Sequence, residues 1–185
     1  QDFLDALSGR FFFFFMAGQS VWAFLFTAFV APSLVAPDLA HGGLPLYLSR
    51  PLSRTQYVLG KLGILVVLLS ALTWIPGLLL VGFQGALAED GWLTSHARIP
   101  LAIFVGSWVW IGLLGLVALA ISAWIRWRPA ATAALFGLFF IGSVFAAVVN
   151  ETLDTRWGNL ASLQAIVRTI WVDLFGGLRA IPGMN

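Results

Sequence analysis

Leu44-Pro45-Leu46-Tyr47-Leu48-Ser49-Arg50-Pro51-Leu52-Ser53-Arg54-Thr55-Gln56-Tyr57-Val58-Leu59-Gly60-Lys61 is a short polar island between two long apolar runs. It carries three of the chain's ten basic residues, among them its one lysine. Before it lies an uncharged run from about Phe11 to Val35, and after it another from about Leu62 to Leu87. A helix needs roughly 20 apolar residues to cross about 30 Å of hydrocarbon, so both runs are long enough to span. Two more follow, at about Ile99–Ile125 and Ala130–Val149. The runs are too long for barrel strands of about 10 residues and lack their alternation of polar and apolar positions. The expected fold is therefore all-α: a polytopic helical membrane protein with four spans in this chain.

Composition agrees. The chain is 60% hydrophobic and 10% charged, whereas soluble domains carry about 25% charged residues. The net charge of +2 reflects a small excess of arginine. No basic patch interleaved with aromatics is present to read nucleic acid. The absence of cysteine removes disulfides, thiolate metal sites and cysteine nucleophiles together.

Charge sets the expected orientation. Arg50, Arg54 and Lys61 follow the first span, and Arg126 and Arg128 follow the third. Loops rich in Lys and Arg stay in the cytoplasm, which places 36–57 and 126–129 inside and 88–98 and 150–185 outside. Beyond the fourth span, Leu160, Leu163, Ile166, Val167, Ile170, Trp171 and Leu174 recur at helical spacing. They predict an outer amphipathic helix within 150–180, lying in the interface, packed on the protein, or both. Trp124 and Trp127 on the inner side, and Trp92, Trp157 and Trp171 on the outer, are expected boundary anchors. The remaining tryptophans are expected to pack between helices.

The island has internal order. Pro37 and the Gly42-Gly43 pair are expected to break the first helix, leaving Leu44–Ser49 to form a short surface helix that Pro51 ends. Ser53 and Gln56 have the S-x-x-Q spacing of a capping box, so the next helix is expected to start at Arg54, with Tyr57 and Lys61 on its first turns. Pro76-Gly77 is a candidate kink within the second span.

The spans themselves are poor in chemistry. No ionisable residue lies well inside any of them, whereas proton-coupled carriers and many channels place such groups near mid-membrane. Gln19, Ser20, Thr27, Ser70, Thr73, Ser107 and Thr132 are expected as interhelical hydrogen-bond partners. His41 and His96 fall on opposite sides of the membrane and cannot share a metal. No GxxxxGK[ST] loop is present to cradle a nucleotide, and no Ser/His/Asp set assembles on one side. The chain is read as non-catalytic and without a cofactor of its own.

Leu48, Ser49, Arg50, Pro51, Leu52, Ser53, Arg54, Tyr57, Gly60 and Lys61 follow the order L-S-R-P-[LVI]-S-R-x-x-Y-x-x-G-K. Pro37-Asp38, Trp74-Ile75-Pro76-Gly77 and Asn150-Glu151-Thr152-Leu153-Asp154-Thr155-Arg156-Trp157 accompany it. In these motifs the chain resembles the ABC-2 type permeases of ATP-driven ABC exporters. That resemblance implies a six-span permease whose first span would precede Gln1 and whose last would follow Asn185. It implies a docking segment for a nucleotide-binding ATPase subunit, comprising Asp38, Leu44, Tyr47, Leu48, Ser49, Arg50, Pro51, Ser53, Arg54, Tyr57 and Lys61. It also implies a second permease copy, as homodimer or heterodimer, in a bacterial plasma membrane. The residues leave open a second reading, a structural or accessory membrane subunit of a respiratory or photosynthetic complex. Membrane lipid is a partner in either case.

Overall fold

A computed structural model describes residues 2–40, 53–87, 91–125, 127–153 and 157–175, without the side chains of 2–10, 39, 40, 54, 95 and 161. Its described helices are α1 (Asp2–Ala40), α2 (Arg54–Leu72), α3 (Trp74–Leu87), α4 (Trp92–Ser95), α5 (Arg98–Trp124), α6 (Arg128–Leu153) and α7 (Leu163–Leu174), with a 3₁₀ turn at Trp157–Ala161. No strand occurs among the described residues. Four stretches among them are long and apolar enough to cross a membrane: Phe11–Asp38, Thr55–Leu87, Arg98–Trp124 and Arg128–Leu153. The chain is an all-α polytopic membrane protein.

The centre of the packing is α5, which touches α1, α2, α3, α6 and α7. Half of its spanning window is buried, against 17% for α6. Its inner positions Ile103, Trp110, Ile111 and Leu114 join Phe12, Met16, Phe24, Leu69 and Phe139 in one cluster. Ala118 and Leu119 join Ala28, Ala31, Val35, Leu65 and Leu135 in another.

The prolines account for the main departures from expectation. Helix α1 runs through both Pro32 and Pro37 to Ala40 instead of breaking at Pro37. A helical proline has no N–H for the carbonyl four residues back; for Pro32 that carbonyl belongs to Ala28. Thr132 Oγ1 of α6 donates to the Ala28 oxygen at 2.9 Å, so a neighbouring helix supplies the missing donor, a substitution by which membrane helices tolerate proline. The second span does divide, but at Thr73, with φ −106° and ψ −89°. Pro76 cannot donate to the Leu72 carbonyl and its ring crowds that turn, so the break lies one turn before the proline. The Thr73 hydroxyl caps the end of α2 by donating to the Leu69 oxygen at 2.7 Å.

Thr132 is the exception among the expected interhelical partners. Thr27 donates to Ala23 O, Thr73 to Leu69 O and Ser20 to Ala17 O. These bonds stay within one helix, because the i−3 and i−4 carbonyls lie closest to a short hydroxyl. Gln19 Oε1 and Ser107 Oγ are buried without a hydrogen-bond partner.

Helix α7 packs on the protein. Val167, Trp171 and Val172 are buried, and Gln164, Arg168, Thr169 and Asp173 are exposed. Trp171 is thus no boundary anchor: its indole Nε1 donates to Gly106 O at 3.1 Å. A Cβ on Gly106 would sit 2.8 Å from that nitrogen, so the glycine is what lets the ring approach α5. Arg98 holds the other end of α7, donating from Nε to Leu174 O at 3.0 Å and from Nη2 to Asp173 O at 2.9 Å. Trp22 and Trp108 depart from expectation in the opposite sense, since both are exposed instead of packed between helices. Trp124, Trp127 and Trp157 are exposed.

Candidate functional site

The island's described part begins with the predicted cap. Ser53 is extended, with φ −76° and ψ 156°, immediately before α2. Gln56 N donates to Ser53 Oγ at 3.2 Å, and Ser53 N donates to Gln56 Oε1 at 2.9 Å. The two residues satisfy each other's free amides, which fixes the helix start at Arg54. Tyr57 and Lys61 are then four apart and share one helix face.

That face meets the end of α1. Tyr57 Oη donates to Asp38 Oδ2 at 2.7 Å. Lys61 Nζ lies 2.8 Å from the same carboxylate oxygen, the two side chains being 20% and 19% exposed. Lys61 Nζ also donates to the Leu34 carbonyl at 2.7 Å and sits 5.4 Å from the centroid of the Tyr57 ring, within cation–π range. The contact braces the turn that Pro37 weakens, since Pro37 has no N–H for Ser33 and Lys61 reaches the adjoining carbonyl from α2. Asp38, Tyr57 and Lys61 thereby join the last turn of α1 to the first two turns of α2.

Of the proposed docking residues, Asp38, Tyr57 and Lys61 come together here, and Ser53 caps the helix that carries the last two. Leu44, Tyr47, Leu48, Ser49, Arg50 and Pro51, with the expected surface helix at 44–49, lie outside the described residues, as does the Arg54 side chain. The sequence reading placed Asp38 and Lys61 in one segment but missed that they pair. The available signal was the Tyr57/Lys61 spacing of four opposite the first acidic residue after the uncharged run.

Among the described residues no group of three or more His, Asp or Glu could hold a metal. His96 stacks on Trp92 at a centroid distance of 4.6 Å, and its Nδ1 lies 3.0 Å from Trp92 O. The contacts of Asp38 with Tyr57 and Lys61 hold the end of α1 against the start of α2.

No family model, curated protein or solved structure matches the chain.

Proposed function

We propose that the chain is the membrane-spanning permease subunit of an ATP-driven exporter, moved by a separate nucleotide-binding ATPase that docks on the 37–57 segment. The observation that supports this most is the brace formed by Asp38, Tyr57 and Lys61. It fastens both ends of the segment to spanning helices, so a load applied to the segment reaches α1 and α2 together. An unbraced loop would absorb the same load by bending. The basic residues Arg50 and Arg54 suit a partner with acidic groups at its contact surface. The lack of ionisable residues well inside the spans also favours an external source of energy over an ion gradient. In this reading the docking segment faces the cytoplasm of a bacterial cell, and two permease copies rearrange as paired ATPase subunits close.

The test is Arg50→Glu combined with Arg54→Glu, followed by purification with native partners. The expected result is loss of a copurifying ATPase with membrane insertion and topology kept. Unchanged assembly would remove the docking role. A native complex without any ATPase, its 37–54 loop against another subunit, would instead make the chain an accessory membrane subunit.

A further inference from the structure

A groove of about 1080 Å³ lies between α1, α6 and α7. Small-molecule sites commonly occupy about 300–1,000 Å³, so this one is large enough for a long amphiphile. Phe13, Phe14 and Val21 of α1 and Trp110 of α5 are among its apolar lining residues, and Arg168 and Asp173 of α7 are the charged residues that line it. Phe14 and Val21 are 66% and 55% exposed, so the groove opens sideways onto a face that lipid would cover. Val21 lies about 15 Å along α1 from Phe11, where the apolar span begins, at roughly 1.5 Å per residue. The groove thus covers one leaflet's half of a hydrocarbon core about 30 Å thick.

Two observations identify the occupant. Trp110 is 3% exposed, and its indole N–H has no hydrogen-bond partner, which leaves a buried donor along the groove. The lining carries one cationic and one anionic side chain, Arg168 and Asp173, matching a headgroup that is itself both. A purely anionic headgroup would meet Asp173, and a purely cationic one Arg168. We propose that the groove binds one phospholipid from the leaflet on the α7 side, an acyl chain lying along α1 and a zwitterionic headgroup between Arg168 and Asp173. In that arrangement the lipid phosphate faces the guanidinium and the amine faces the carboxylate. The site is independent of any ATPase at the 37–57 segment, so the two proposals fail separately.

The test is photolabelling of the full chain in liposomes with phosphatidylethanolamine carrying a diazirine on one acyl chain, followed by peptide mapping. Label is expected on 13–21 and 143–147, above the level at the lipid-facing positions Val67 and Leu79. Ala147→Trp and Ala17→Phe fill the groove from opposite walls, and each should abolish the excess while helix content and elution volume stay at wild-type values. Asp173→Lys should make the phosphatidylglycerol analogue label more strongly than the phosphatidylethanolamine one, reversing the wild-type order. Uniform label over all lipid-facing positions would overturn the proposal, as would excess label unaffected by either filling variant. Interchain cross-links through positions 14 and 147 without lipid label would also overturn it, by showing that a second copy of the chain occupies the groove.

Discussion

Removing Asp38 and Lys61 separately and together measures how firmly α1 is tied to α2. Their charged atoms are 2.8 Å apart and their side chains about one-fifth exposed. Breaking a buried ion pair by deleting one partner costs about 3–5 kcal/mol, because a charge is left buried and unpaired. A fully exposed pair is worth about 0–1 kcal/mol. This pair lies between, and the Tyr57 hydroxyl and Leu34 carbonyl hold its geometry. A coupling of about 2 kcal/mol is therefore expected. Asp38→Asn leaves Lys61 on Leu34 O, and Lys61→Met leaves Asp38 on Tyr57. Each single variant should lose about 2–3 kcal/mol, and the double variant less than their sum. The assay is equilibrium unfolding in mixed micelles titrated with dodecyl sulfate, followed by circular dichroism, for wild type, both singles and the double. Independent sites add to within about 0.5 kcal/mol. A coupling below that value would refute the brace, whatever the stability of the singles.

Three further changes probe local features. Gly158→Ala drives a Cβ into the Ala146 backbone oxygen and to within 2.7 Å of Asn150 Oδ1, and backbone cannot step aside. It should displace the 3₁₀ turn, break the 2.9 Å bond from Gly158 N to Asn150 Oδ1 and cost about 1–3 kcal/mol, read as faster proteolysis between Trp157 and Ser162. Trp171→Phe removes the bond to Gly106 O and should cost about 1–2 kcal/mol, with faster amide exchange across α7 and little change in α2. Ser53→Ala should cost about 1 kcal/mol and speed exchange of the first amides of α2, and Ser53→Asp should recover most of it.

The parts of this fold legible in the sequence are those that depend on one segment meeting its solvent. Four long uncharged runs require lipid around them, and the Ser53/Gln56 spacing marks where α2 begins. What could not be read depends on neighbours. Helix α5 is apolar all round because one side faces protein and the other lipid, and hydropathy does not separate two apolar surroundings. Nothing local identified it as the helix at the centre. Pro37 carries the ordinary signature of a helix end, yet α1 continues through it, braced by Lys61 from α2. For the same reason Trp171 had the composition of an interfacial anchor, but its partner is the Gly106 carbonyl, 65 residues away in sequence. In the candidate site the sequence supplied the residue types and the helix start, whereas the ion pair itself arises only when α1 and α2 cross.

The brace and the groove lie on a common element. Asp38 is near one end of α1, and Phe13, Phe14 and Val21, the wall of the groove, lie along the other half of the same continuous helix. The route along α2 is shorter. It runs from Lys61 only to Thr73, where the backbone leaves helical geometry before α3 begins. A displacement at Asp38 would therefore be carried to the groove by α1 and interrupted along the second span. Pro32 lies on that route, but the hydrogen bond it removes is replaced by Thr132 of α6. Because α6 forms the opposite side of the groove, the contact that makes α1 continuous also ties its movement to that opposing wall.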